Sequence, residues 1–167
     1  MNKNNSDIKP KILKKDRILD GFVKIKDGKK QPITLEDLSA FVSSINLIQN
    51  VPKEVREVFE ISKRVFVFGY FYYRFFTVSK HYAFLALESA LKNKHKQLFN
   101  CNEQSLKKVI DDLTGKVISE KEKPLYDAGR HLRNVLSHLV DQPVLLPSPN
   151  ILERVAEQIN KIYRYQI

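Results

Sequence analysis

The sequence predicts an all-α protein, a bundle of about five helices with one long central helix and a basic N-terminal extension. Apolar residues recur at three-to-four spacing over most of the chain after residue 33. Seven prolines and five glycines in 167 residues leave long uninterrupted stretches, and residues typical of helix ends precede several of them. Because this length suits one compact domain, we predict an extension over residues 1–33 and a helical domain over residues 34–167.

The N-terminal extension is rich in lysine and carries much of the net charge of +10. Its FVKIKDGKK segment is compatible with a small hairpin around Asp27 and Gly28, although the second strand would be polar and interrupted by Pro32. We favour a solvated basic arm, while a hairpin and a tether for nucleic acid remain open.

Two helix starts follow the extension. Thr34, followed by Glu36 and Asp37, indicates the first one, and the apolar period then continues to about Gln49. Pro52 suits the first turn of the second helix.

The central segment, VFVFGYFYYRFFTV over residues 65–78, is apolar on all sides. Its flanks have helical spacing, so we predict a central helix with a kink near Gly69 rather than a buried strand. Unbroken from Pro52 to Leu98, such a helix would be about 70 Å long. Its second half has a face suited to close packing, formed by Ala83, Ala86, Leu87, Ala90 and Leu91.

The last third of the chain predicts three further helices. Asn102 is the predicted cap of a short helix that ends at Gly115, and Pro124 opens the next helix. The segment DQPVLLPSPN is a predicted loop, and Ser148 with Pro149 begins the last helix. The predicted core positions of the short and last helices are Leu106, Val109, Ile110, Leu113, Leu152, Val155, Ile159 and Ile162.

The composition narrows the class of protein. The single cysteine, Cys101, has no partner for an internal disulfide or a Cys-based metal site, so we expect a cytoplasmic protein. The N-terminus lacks the apolar core of a signal peptide. The most apolar run contains Arg74 and is shorter than a membrane helix, so we expect no membrane span. The net charge of +10 favours polyanionic partners, and charge alone does not choose among RNA, DNA and an anionic lipid surface.

The helix that begins at Pro124 has two unlike sides. On a projection with about 100° per residue, the side predicted to be core contains Leu125, Ala128, Leu132, Val135, Leu136 and Leu139. The side predicted to face solvent contains Tyr126, Asp127, Arg130, His131, Arg133, Asn134, Ser137 and His138. Arginine and histidine beside a single carboxylate suit a phosphate better than a metal or a peptide, and they can cleave a phosphodiester. A plain solvated helix face is the alternative.

Two motifs carry a resemblance to a known family. RNVLSH, from Arg133 to His138, is an Arg-x-x-x-x-His motif with a polar residue after the arginine, and it resembles the signature of the HEPN superfamily (higher eukaryotes and prokaryotes nucleotide-binding). The stretch RFFTVSKHYAFLALESALKNK resembles the Ala-rich helix ending in Leu-Glu-x-x-Leu of bacterial members. Together the resemblance covers roughly residues 34–165.

The resemblance implies a metal-independent endoribonuclease without a cofactor, often a toxin or antiviral effector, that acts as a homodimer. It gives His138 the role of general base or acid, Arg133 that of stabilising charge on the phosphoryl group, and Asn134 that of positioning. Attack by the ribose 2′-OH would give a 2′,3′-cyclic phosphate. Supporting residues would be Arg130, Ser137, Glu88 and His131, with Glu88 orienting His138. A cognate antitoxin or regulatory protein would be a further partner.

The alternative within this family is an inactive RNA-binding or protein-interaction module, because some members have lost the activity. Geometry adds an argument for a dimer. On a straight helix Arg133 and His138 lie about 140° apart. A second copy across a two-fold axis would bring an arginine and a histidine together.

Other candidate residues have weaker patterns. His81, Glu88, Lys92 and His95 form a polar stripe, but seven-residue spacing separates its potential ligands by about 10 Å. We therefore predict no metal there, and an ion pair between Glu88 and Lys92. The aromatic residues Tyr70, Tyr72, Tyr73 and Phe76 are predicted to be core or dimer interface, with base stacking as the alternative. Cys101 as a thiol catalyst with His81 or His95 has no supporting pattern.

Overall fold

The computed structural model describes residues 13–101, 104–137 and 148–164. These residues form six α-helices: α1 Leu35–Ser43, α2 Lys53–Phe68, α3 Phe75–Phe99, α4 Leu106–Leu113, α5 Lys123–Ser137 and α6 Asn150–Arg164. A short 3₁₀ helix, Arg17–Gly21, and an antiparallel pair of strands, β1 Val23–Lys26 and β2 Lys29–Pro32, precede them. The all-α class with a long central helix is confirmed, with α3 as that helix. None of the helices in these ranges is long and apolar enough to cross a membrane.

The N-terminal segment contains the hairpin that the sequence left open. Asp27 and Gly28 have φ values of 51° and 71°, which is the left-handed backbone that a two-residue hairpin turn requires. The chain before the hairpin packs against the helices, since Leu19 is fully buried and the Asp16 carboxylate accepts a 2.7 Å hydrogen bond from the Tyr73 N–H.

Helix α1 begins as predicted, because Thr34 and Asp37 form a reciprocal cap. The Thr34 hydroxyl accepts from the Asp37 N–H at 3.2 Å, and the Asp37 carboxylate accepts from the Thr34 N–H at 2.9 Å. The ammonium of Lys24, 2.6 Å from Asp37 Oδ1, holds the pKa of that carboxyl below its ordinary value.

The end of α1 differs from the prediction, since the helix stops at Ser43 instead of continuing to about Gln49. Side chains of other helices bind the backbone that follows. Lys63 donates to the carbonyl of Ile45 at 3.0 Å, and Asn160 bonds to the backbone of both Asn46 and Ile48. These tertiary hydrogen bonds replace those that a continued helix would make.

The prediction of one helix running through Gly69 is wrong, because the chain reverses between α2 and α3. The Ser62 hydroxyl donates to the Ser79 carbonyl at 2.9 Å, and the rings of Phe66 and Phe76 meet edge to face with centroids 4.9 Å apart. A segment that is apolar on all sides is explained equally well by a helical hairpin, in which each half buries the other. Splitting the predicted run gives six helices where about five were expected.

Helix α3 then packs against α2, α4, α5 and α6 and forms the centre of the bundle. Its predicted packing face is confirmed, with Ala83, Ala86, Leu87, Ala90 and Leu91 buried. Of the aromatic residues before it, Tyr73 and Phe76 are core as predicted, while Tyr72 is 51% exposed.

Replacing Gly69 by alanine should destabilise the fold by about 1–3 kcal/mol through overpacking. A Cβ at this position would lie 2.6 Å from the ring of Phe76, which is fully buried and cannot move freely. Urea unfolding of the two proteins measures the loss. Gly21→Ala is the matched control, since a Cβ there meets nothing within 4 Å, and equal losses at both positions would contradict this explanation.

Helices α4 and α6 follow the prediction, since all eight of their predicted core residues except the half-buried Leu106 are buried. The cap of α4 is Ser105, whose hydroxyl accepts from the Lys108 N–H at 3.3 Å. The predicted cap, Asn102, lies outside the described residues. Gly115, with φ of 79°, follows α4 as expected.

The orientation of α5 corrects the prediction for the motif helix. Leu125, Leu132 and Val135 are 44%, 39% and 45% exposed, and Ala128 is exposed as well. Of the predicted core residues Leu136 is buried, and Leu139 lies outside the described residues.

Helix α5 is turned about a quarter of a turn from the predicted orientation, so that Tyr126 and Gly129 are buried. Gly129 faces α3, and a Cβ there would lie at ordinary van der Waals distance from Phe84 and Leu87, 3.5 and 3.6 Å. The Tyr126 ring is a larger apolar group than any leucine, and its hydroxyl donates to the Gln158 carbonyl at 3.4 Å. The tyrosine, which the projection placed in solvent, thus determines which side is packed.

Candidate active site

The rotation of α5 brings Arg133 against α3, where it meets Glu88. Arg133 Nη2 and Glu88 Oε2 are 2.9 Å apart, and their side chains are 32% and 12% exposed. The two groups form an ion pair and not a hydrogen bond, because Glu88 Oε2 has no hydrogen-bond partner within the described residues. Arg133 Nε has none there either. Glu88 Oε1 also lies 3.1 Å from Lys92 Nζ, which confirms the predicted pair along α3.

The local sequence explains why these groups meet. Gly129 lies where α5 faces Phe84 and Leu87 of α3, and Arg133 follows Gly129 by four residues, so it extends from the same side of α5 one turn later. Glu88 lies directly after Leu87, which faces Gly129. The ion pair therefore lies at the edge of the apolar contact, where it is half shielded from water.

Asn134 contacts the arginine as well. Its Oδ1 accepts a 3.0 Å hydrogen bond from Arg133 Nη1. The guanidinium group is thus held from one side by a carboxylate and from another by an amide. This arrangement restricts the rotamers of Arg133 and leaves Nε as an unused donor.

The supporting residues that the sequence predicted are distributed around this pair. Arg130 lies near Asp127, with Nε 3.5 Å from Oδ1, and its Nη2 is 3.0 Å from His131 Nε2. The Ser137 hydroxyl donates to the Arg133 carbonyl at 2.9 Å, so Ser137 is bonded to its own helix. Both His131 and Ser137 are exposed. His138 lies outside the described residues, and its role stays a prediction.

His81 is a further neighbour of this site, which the sequence did not indicate. Burial lowers the pKa of the His81 imidazole, the positive charge of Arg133 lowers it further, and Glu88 opposes the shift. The histidine is consequently neutral at physiological pH and can accept a proton. The spacing of His81 and Glu88 could have indicated this proximity, because two residues that are two helical turns apart lie on the same side of α3, the side that α5 covers.

A cleft of about 260 Å³ opens beside the ion pair. It is lined by Glu88, Ser105, Leu106, Lys107, Arg130, Arg133 and Asn134. Among the described residues of this lining, three cationic side chains accompany one carboxylate, and this balance attracts anions. Guanidinium groups bind the oxygens of a phosphate through paired donors, and Arg130 and Arg133 bring two guanidinium groups to this cleft.

The described residues do not form a metal site beside the ion pair of Glu88 and Arg133. Nowhere in the described parts of the chain do three or more His, Cys, Asp or Glu side chains converge in a way that could hold a metal ion. Within the polar stripe of α3, Glu88 is engaged by two cations, and His95 is directed to Asp112 of α4 instead.

Comparison with known proteins found no family model that matches this chain, no similar curated protein and no similar solved structure.

Proposed function

We propose that the protein is a metal-independent endoribonuclease of the HEPN type that acts as a homodimer. The observation that supports this most directly is the partly buried Arg133, held by Glu88 and Asn134 at the wall of a positively charged cleft. Such an arginine is pre-oriented for a phosphoryl group, and pre-orientation of charge is the main source of catalysis in phosphoryl chemistry.

The proposed reaction is an intramolecular attack on the RNA backbone. His138 removes the proton of the ribose 2′-OH, the 2′ oxygen bonds to phosphorus, and the bond from phosphorus to the 5′ oxygen of the next nucleotide breaks as that oxygen takes up the proton from His138. Arg133 neutralises the charge that develops on the phosphoryl oxygens, and Glu88 and Asn134 keep its guanidinium in place. The products are a 2′,3′-cyclic phosphate and a 5′-OH, and DNA, without a 2′-OH, is not cut.

The exposed apolar side of α5 supports the homodimer. Leu125, Ala128, Leu132 and Val135 form a stripe along the helix. A groove of about 180 Å³ between α5 and α6 continues it, lined in part by Phe84, Ile151 and Val155. Such a stripe is self-complementary and suits a two-fold interface. A second copy there would place two motif helices side by side.

The cellular setting that accompanies this proposal is a toxin or phage-defence effector in the cytoplasm. The substrate is RNA, which a chain of net charge +10 attracts. A cognate antitoxin or regulatory protein would keep such an enzyme inactive until it is needed.

A second candidate is an inactive HEPN-like module that binds RNA or another protein. The exposed apolar stripe of α5 favours it, because the same surface suits a different helical partner. This candidate predicts salt-sensitive RNA binding without cleavage products.

Incubation of the purified protein with end-labelled RNA in EDTA tests the two candidates. We expect fragments that end in 2′,3′-cyclic phosphate, no cutting of DNA of the same sequence, and a loss of about 100-fold or more in His138→Ala, the predicted general base. The substitution Lys53→Ala, at an exposed residue of α2 that does not line the cleft, is the control. RNA binding without fragments would favour the inactive module, and equal cleavage by wild type and His138→Ala would contradict the proposed role of His138.

A further inference from the structure

A second cluster of reactive side chains lies near the C-terminal end of α3. His95 is 3% exposed. Its Nε2 is 2.9 Å from Oδ2 of Asp112 on α4, and its Nδ1 is 3.4 Å from Sγ of Cys101. The ring of Phe99 packs on the imidazole with centroids 4.7 Å apart. A thiol, an imidazole and a carboxylate are thus connected in one chain of contacts.

Asp112 determines which nitrogen of His95 carries the hydrogen. Lys108 Nζ lies 2.6 Å from Asp112 Oδ1, and Lys108 and His95 together hold the pKa of Asp112 below its ordinary value. The ionised carboxylate can only accept hydrogen bonds, so Nε2 of His95 is the donor. Nδ1 is then free to accept the proton of the Cys101 thiol, which is how an imidazole activates a sulfur nucleophile.

The cluster borders a cavity of about 320 Å³. The described residues of its lining are Lys92, Asn93, His95, Lys96, Cys101, Gln104 and Val109. Cys101 is partly exposed, so its sulfur is accessible while His95 behind it is shielded from water. Lysine ammonium and side-chain amide groups dominate this lining, and they suit a small ligand that carries carboxylates.

We propose that Cys101, His95 and Asp112 form a reactive-thiol site that takes a small disulfide bearing carboxylate groups and forms a mixed disulfide with it. The site is separate from the Arg133 cleft and does not depend on ribonuclease activity. Thiol–disulfide exchange needs an activated sulfur and access to the disulfide, and no group to stabilise an oxyanion. The side chains at this cavity are sufficient for that reaction.

The exchange is balanced without any further reactant. Cys101 transfers its proton to His95, and its sulfur attacks one sulfur of the disulfide R–S–S–R. The S–S bond breaks, a Cys101–S–S–R bond forms, and the departing thiolate takes the proton from His95 and leaves as R–SH. The Cys101 sulfur is oxidised and the released sulfur is reduced.

The rate of adduct formation, followed by intact-protein mass at pH 7, tests this site with two probes of opposite charge. With glutathione disulfide, which carries carboxylates, we expect the native full chain to react at least about tenfold faster than the urea-unfolded chain. We expect a slower reaction with cystamine, which carries amines. Lys96→Gln should reduce the rate with glutathione disulfide and raise the rate with cystamine, because the cavity loses one positive charge.

A variant of the positioning carboxylate tests the activation itself. Asp112→Asn should slow adduct formation by about tenfold and move the pH–rate profile to higher pH, because the imidazolium loses its carboxylate. Asp111→Asn is the matched control, since that carboxylate pairs with Lys123 at 2.6 Å, away from the cavity. Thermal unfolding checks that each variant is folded. A native rate no higher than the unfolded rate overturns the proposal, and so does an Asp112→Asn protein that is folded and unchanged in rate and pH profile.

Discussion

Replacing Arg133 by alanine is expected to reduce RNA cleavage by about 100-fold or more, the loss typical of removing one donor that stabilises transition-state charge. The guanidinium of Arg133 combines positive charge at the cleft with an orientation fixed by Glu88 and Asn134. Arg133→Lys should recover part of the activity, because an ammonium keeps the charge but lacks the paired donors. Rates with a single-site RNA substrate at saturating and low concentration separate loss of turnover from loss of binding.

The matched control for this experiment is Arg56→Ala. Arg56 is an exposed arginine of α2, so its removal lowers the net charge by the same amount away from the cleft. We expect weaker RNA binding in both variants and a loss of turnover in the Arg133 variant alone. If the wild type cuts RNA and a folded Arg133→Ala protein cuts it with the same turnover, the catalytic role assigned to Arg133 is contradicted.

Replacing Leu132 by aspartate is expected to convert the proposed homodimer to monomers and to abolish cleavage with it. Leu132 is 39% exposed in the middle of the apolar stripe of α5. A two-fold interface would contain the substituted residue twice, once from each chain. Because burial of an unpaired carboxylate costs several kcal/mol, the dissociation constant should rise by about 100-fold or more. Sedimentation velocity over a range of concentrations measures the change.

The control substitution for the interface is Ile61→Asp, on α2. Ile61 is 43% exposed, so its apolar exposure matches that of Leu132, but it lies outside the stripe. We expect it to leave both the oligomeric state and the activity unchanged. A wild-type protein that is monomeric at high concentration, or a Leu132→Asp protein that remains dimeric, would refute an interface at α5.

Local patterns in the sequence predict the helices well where neighbouring residues decide the structure. The cap at Thr34 with Asp37, the start of α2 after Pro52, and the core positions of α6 all depend on residues within a few positions of one another. The same holds for the ion pair of Glu88 with Lys92, which needs one turn of one helix. Such interactions are present in the sequence itself, because spacing along a helix fixes distance in space.

The candidate site was predicted only in part. The sequence pointed to Arg133 and Asn134 through their motif, and to Glu88 as a residue that could approach the motif helix. It placed the arginine in solvent, whereas burial of Tyr126 and Gly129 turns the arginine toward α3. It also gave no reason to connect Cys101 with His95. Their contact depends on the path of the chain after the end of α3, and Asp112, the third group of the cluster, comes from α4.

The sequence by itself determined the all-α class, the starts of α1, α2, α5 and α6 and the basic character of the chain, since these follow from composition and from local patterns along the chain. The tertiary structure alone decided the reversal at Gly69, the side of α5 that is packed, and the groups that meet at Arg133 and at His95. A residue pattern that is apolar on several sides is compatible with more than one packing partner. The choice among partners depends on which surfaces fit together in three dimensions, such as Gly129 against Phe84 and Leu87.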